Sequence, residues 1–91
     1  MLTPLLHYPY RASPNHSARP GNIRPTMTVI HYTASGPGVA GDVSWFQDPH
    51  SDVSAHFIVS REGDVTQMVP LDRAAWHARG FNATSIGIEL D

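Results

Sequence analysis

Proline sets the first limit on this chain. Five of its eight prolines stand at positions 4, 9, 14, 20 and 25. Each lacks the N–H that a ladder needs and locks its φ at about −65°. Residues 1–26 therefore read as an irregular lead-in arm, neither helix nor central strand. The ordered fold has to be built from residues 27–91. The whole chain is 91 residues, room for one domain.

Within that window the apolar pattern is legible. Residues 27–32 are near-continuously apolar, as suits a strand covered on both faces. A loop follows at Ser35-Gly36-Pro37-Gly38. Val39, Val43 and Phe46 recur at i, i+4 and i+7, which predicts a short helix, and Asp48-Pro49 stops it. Residues 54–60 alternate, with Ala55, Phe57 and Val59 on one face and Ser54, His56 and Ser60 on the other. Residues 65–69 form the partner strand across Arg61-Glu62-Gly63-Asp64, a hairpin turn in which Gly63 supplies positive φ. Residues 70–83 read as a connection and loop. Residues 84–90 form the last strand, with Ile86, Ile88 and Leu90 on one face and Ser85, Gly87 and Glu89 on the other. Strands mixed with a helix predict an α/β fold on a mixed central sheet flanked by helices. A sheet this apolar needs more cover than one short helix supplies, so the C-terminal helices that would complete such a fold are expected to be absent from this chain.

Composition removes several function classes. There is no cysteine, hence no disulfide, thiolate zinc site or Cys nucleophile within the chain. The net charge of −2 gives no basic field for nucleic acid. All six cationic side chains are Arg, so there is no phosphate-loop lysine and no lysine base. No apolar run is long enough to span a membrane, and the opening residues, broken by Pro4, do not read as a secretory signal. The expected locations are the cytoplasm, or release to the cell wall in the manner of a phage lysin.

The unusual count is six histidines. His31 sits at the end of a strand, where α/β folds place their sites. It reads either as a metal ligand or as a core histidine with a satisfied hydrogen bond. Glu89 shares its strand face with Ser85 and Gly87, whose small side chains leave space above the sheet. It reads as a general base at a cavity wall, or as a solvent-facing glutamate. His77, beside Trp76, suits a sugar or peptide ligand, and equally a loop pinned by the tryptophan. His56 reads as buried support, His50 as solvated in a polar turn. His7 and His16 lie in the arm without a clear role. No His-Glu-x-x-His helix and no Gly-x-Ser-x-Gly elbow is present.

Four segments, in order, resemble one known family: "VIHYTAS" (29–35), "VSAHFIVSREGDVTQMVP" (53–70), "AAWHA" (74–78) and "NATSIGIEL" (82–90). "SPNHSARP" (13–20) is similar to the lead-in of some members. The chain resembles the zinc-dependent N-acetylmuramoyl-L-alanine amidases of the type-2 amidase and peptidoglycan-recognition superfamily. The resemblance implies that His31 is a zinc ligand and that Glu89 is the catalytic carboxylate. It also implies that His77 and Trp76 contact the muropeptide, with Asn82, Tyr32 and Thr33 beside them. The implied cofactor is Zn2+ and the implied substrate peptidoglycan or a muropeptide. Arg79 meeting a substrate carboxylate is an inference from the residue alone. Other members of the superfamily carry two further zinc ligands, a histidine and then an aspartate or cysteine, in a region that would follow Asp91. The expectation is therefore a partial amidase domain over residues 27–91, or alternatively a non-catalytic peptidoglycan-binding module.

Overall fold

The computed structural model describes residues 8–33 and 38–91. His7 and most of the expected loop at 35–38 lie outside the described residues. The proline-rich arm is irregular except where it is free of proline. There His16–Ala18 forms a short strand, β1. A 3-10 turn at Pro20–Asn22 leads to β2, Met27–Tyr32. The helix α1 runs Ala40–Gln47 and ends where expected, at Asp48 before Pro49. The hairpin follows as β3, Phe57–Val59, and β4, Val65–Gln67, with Gly63 at φ 93° in the turn. β5, Arg73–Ala75, pairs antiparallel with β1. From sequence these residues read as part of a connection, because three residues without alternation carry no strand signal. A second 3-10 turn, Asn82–Thr84, opens into β6, Ser85–Leu90.

The main sheet has the order β2-β6-β3-β4. β6 pairs parallel with β2 on one side and with β3 on the other, while β3 and β4 are antiparallel. This is the mixed α/β sheet that the pattern predicts. The helix packs on one face only, through Val43 and Phe46 against Ala55, Ile58 and Met68. Among the described residues no helix is long and apolar enough to cross a membrane.

One expectation is overturned. β2 is not covered on both faces: it is an edge strand, and Ile30 and Tyr32 are 63% and 71% exposed. They stand in register with Ile88 and Leu90 of β6, so the more apolar face of this strand pair is the open one. The face carrying Ser85, Gly87 and Glu89 is the one packed under the helix and its neighbouring loops. The small residues of that face leave room for the His77 ring, which rests on Gly87 and meets Ser85.

The arm is pinned by polar side chains. Asn15, buried, donates its amide to the carbonyls of Phe46, Asp48 and Val53 at 2.9–3.2 Å. Ser13 Oγ bonds Phe46 O, and Ser54 Oγ bonds Asn15 O. Arg19, also buried, spreads its guanidinium over the carbonyls of Leu71, Asn82, Ala83 and Ser85. These bonds join the arm to the end of α1 and to the start of β6.

Candidate active site

His31 on β2 and Glu89 on β6 are paired directly across the parallel ladder. Registered residues of adjacent strands point to the same face, so both stand on the packed side. Ile58 of β3, fully buried, flanks Glu89 from the other side. His31 and Glu89 open on a cavity of about 500 Å3. Its roof comes from α1 through Asp42, Trp45 and Phe46, and its far wall from Trp76 and His77. Four residues singled out in the sequence, His31, Glu89, Trp76 and His77, thus meet around one space.

Glu89 is half-buried, and its Oε2 is buried with no hydrogen-bond partner among the described residues. Burial pushes its carboxyl up to about 7, and the nearby Asp42 carboxylate adds to the effect. Asp42 itself is 5% exposed. The sequence reading did not single it out, though it sits four residues before Phe46 and so on the buried stripe of α1. A charge on such a stripe was the available signal.

His77 is held from several directions. Asn82 Oδ1 accepts from the backbone N–H of His77 at 3.0 Å and of Ala78 at 2.7 Å, which fixes the Trp76–His77 loop. Trp76 is tied through its N–H to Ser54 Oγ and through Nε1 to Ser17 Oγ. The His77 ring lies flat above Gly87: a Cβ at that position would come within 2.6 Å of it. Its Nε2 is 3.0 Å from Ser85 Oγ, and its Nδ1 is 2.9 Å from His31 Nε2. Burial, together with His31, His56 and Arg19, lowers its basicity to a pKa of about 4. Asn82 and Ser85 thus act locally as supports for this loop and ring.

His56 is fully buried. Its Nδ1 accepts from Gly87 N–H at 3.0 Å, so Nε2 carries the proton and donates to Arg73 O at 2.8 Å. Both nitrogens being used, and burial lowering its basicity, His56 is a structural histidine, as expected. His50 is exposed. His16 Nδ1 accepts from Arg73 Nε at 3.0 Å between β1 and β5. The sequence carried no signal for the Arg19 and Asn15 clamps, whose partners are almost all backbone carbonyls.

Among the described residues no three His, Cys, Asp or Glu side chains gather as a metal centre requires. A catalytic zinc takes three protein ligands and an open position. His31 fits as one of them, and the described residues do not complete the set. A second cavity of about 380 Å3 shares Val53, Trp76 and His77 with the first and is lined further along by Asp52, Arg79 and Asn82.

The family model described as N-acetylmuramoyl-L-alanine amidase matches residues 21–91. N-acetylmuramoyl-L-alanine amidase A of Achromobacter lyticus is 46% identical over 67 residues, covering 72% of this chain and 37% of that protein. The 1,6-anhydro-N-acetylmuramyl-L-alanine amidase AmpD of Escherichia coli (strain K12) is 35% identical over 104 aligned residues, covering 87% and 56% respectively. The chain thus spans about half or less of the length of these two relatives. Among solved structures, the crystal structure of a Se-Met AmpD derivative superposes with a TM-score of 0.85 at 29% identity, covering 99% of this chain and 65% of that one. A mutant endolysin from Bacillus subtilis superposes with a TM-score of 0.72 at 28% identity, covering 94% and 61%.

Proposed function

This chain belongs to the N-acetylmuramoyl-L-alanine amidase family, and on that footing we propose that it carries the His31–Glu89 part of a zinc-dependent peptidoglycan amidase site. The bond cleaved is the amide between N-acetylmuramic acid and the L-alanine of the stem peptide. The observation that carries the reading is the Glu89 carboxyl: half-buried in the wall of a cavity and paired across the ladder with His31. A carboxylate in such a place is positioned to take a proton from an attacking water and return it to the leaving amine. Trp76 offers a flat wall to the muropeptide. Arg79, in the adjoining cavity, is placed to meet a carboxylate of the peptide. His31 would supply one zinc ligand, with the others coming from beyond the described residues.

A second reading is favoured by the incomplete donor set: a module that binds muropeptide without cleaving it. One set of measurements separates the two. Zinc content after dialysis against trace metal is compared between the chain and His31→Ala. Cleavage of an anhydro-muropeptide and of intact peptidoglycan is followed by chromatography for both, and for Glu89→Gln. The amidase reading expects zinc lost in His31→Ala, and zinc retained with turnover lost in Glu89→Gln. Turnover surviving in Glu89→Gln removes the assigned base. Muropeptide binding that needs no zinc, with no cleavage, establishes the second reading. Which of the two substrates is cut separates an intracellular recycling role from a lysin-like one.

A further inference from the structure

We infer that His77 is a positioning residue: it fixes His31 in the tautomer with the proton on Nε2, leaving Nδ1 as the nitrogen available to the cavity. The protons along a line of hydrogen bonds can be counted from a group with no choice. The carbonyl of Phe81 can only accept, and Ser85 Oγ lies 2.8 Å from it. Ser85 has a single hydroxyl proton, and that bond uses it. The contact at 3.0 Å between Ser85 Oγ and His77 Nε2 must then be made by a proton on the ring. A neutral imidazole carries one N–H, so His77 Nδ1 is a lone pair. The contact at 2.9 Å between His77 Nδ1 and His31 Nε2 must be made by a proton on His31. The order is His31 Nε2–H to His77 Nδ1, His77 Nε2–H to Ser85 Oγ, and Ser85 O–H to Phe81 O.

Nothing in this chain can be reversed piecemeal. Turning the serine proton toward His77 would set Ser85 Oγ and Phe81 O lone pair against lone pair at 2.8 Å. Moving the His31 proton to Nδ1 would do the same between the two rings. The rings cannot swing clear. They meet edge to face at 85° with centroids 5.1 Å apart, and His77 rests on Gly87. His31 Nδ1 has no hydrogen-bond partner among the described residues, and His31 lines the cavity. A histidine ligand is commonly oriented by a hydrogen bond from its other ring nitrogen, to a carboxylate, a carbonyl or water. Here an imidazole whose own polarity is set by a serine and a carbonyl takes that place. Both His77 nitrogens are therefore engaged within the protein, and its contribution to substrate contact is through the ring face or edge. That His31 Nδ1 then meets a ligand rests on the amidase reading; the tautomer itself does not.

The test is nitrogen-15 NMR of the histidine rings in the metal-stripped 91-residue chain near neutral pH. In the parent chain the expected result is a protected proton on His31 Nε2, with a scalar coupling across the hydrogen bond to His77 Nδ1, and an unprotonated His31 Nδ1. His77→Phe keeps a ring and removes the acceptor. The coupling should vanish and exchange of the His31 imino proton with water should rise about fivefold, the factor for losing one ordinary hydrogen bond. His77→Gln, whose amide oxygen can accept, should restore protection. Ser85→Ala touches neither His31 nor the His77 Nδ1 edge, yet it releases the polarity of the chain. It should leave His77 sampling both tautomers and weaken the coupling to His31. Backbone amide spectra establish that each variant is folded, and Ser85→Ala, the smallest change, decides the matter if His77→Phe does not fold. A parent chain with the His31 proton on Nδ1, or Ser85→Ala leaving the His77 tautomer and His31 exchange unchanged, overturns the inference.

Discussion

Replacing Gly87 by alanine tests the packing beneath the site most directly. A Cβ at position 87 would lie 2.6 Å from His77 Cγ and 2.7 Å from Cδ2 and Nδ1. Carbon atoms in contact prefer about 3.5–4.0 Å, so the ring and the strand have to separate by about 1 Å. The strand cannot give, because Gly87 N–H donates to His56 Nδ1 at 3.0 Å and its carbonyl accepts from His56 N at 2.9 Å. The ring cannot retreat while it keeps Ser85 and His31. Losing those two hydrogen bonds costs about 1 kcal/mol each. With the residual overpacking, the expected destabilisation is about 2–4 kcal/mol. In a His77→Ala background the obstacle is gone, and Gly87→Ala should be neutral or gain up to about 1 kcal/mol from the stiffer unfolded chain. Urea unfolding followed by tryptophan fluorescence gives all four corners of the cycle, with sucrose added to keep the weakest variant folded. Equal costs in the two backgrounds would refute the claim that Gly87 exists to seat His77.

Glu89 holds its proton in the folded chain up to about 7 against an ordinary 4.5, so its contribution to stability is lost as pH rises through that window. Because the group is only half-buried, we expect a loss of about 1–2 kcal/mol between pH 4.5 and 7 in the metal-free chain, discounted for solvent screening. His77, lowered from 6.5 to about 4, acts in the opposite sense over an overlapping range, so the measurement is the difference between parent and Glu89→Gln. Arg19→Met should cost about 3–5 kcal/mol in urea unfolding, since it strips a donor from four backbone carbonyls at once. Asn15→Ala should cost about 2 kcal/mol for the same kind of reason. In an active preparation, Arg79→Ala should raise KM for a peptide with a free carboxylate and leave kcat unchanged.

Periodicity made much of this fold readable. The apolar run at β2, the i, i+4, i+7 pattern of α1, the alternating hairpin and the two-faced β6 are all local signals, and the described residues form those elements. The hairpin strands are shorter than the pattern predicts, at 57–59 and 65–67, with Ala55 packed beside Ile58 in the core. The expectation that Glu89 stands at a cavity wall came from the small side chains of Ser85 and Gly87; Glu89 does line a cavity, but the room above Ser85 and Gly87 is taken by the His77 ring. What could not be read was anything whose partner is the backbone. Arg19 and Asn15 look like surface residues of a proline-rich arm until the carbonyls they satisfy are in place, and carbonyls have no letter in a sequence. The pairing of β1 with β5 is invisible for a similar reason: three residues long, it depends on a partner far along the chain. The coverage of β2 was misjudged because an apolar run reports hydrophobicity and says nothing about which side receives the helix.

The placement of β6 has a consequence for how the chain comes together. The last strand in sequence lies in the interior of the main sheet, between β2 and β3. Until residues 85–90 are available, β2 has no neighbour and the hairpin has no sheet to join. During synthesis β2 and the β3–β4 hairpin must wait as separate pieces, with apolar strands unpaired. Loop closure between β2 and β6 spans most of the chain, which slows folding and lengthens the time those strands are exposed. Assembly of the sheet is thus gated by residues 85–90. A chain halted a few residues short of Leu90 should be a substrate for chaperones and proteases, with none of the cooperativity of the finished sheet.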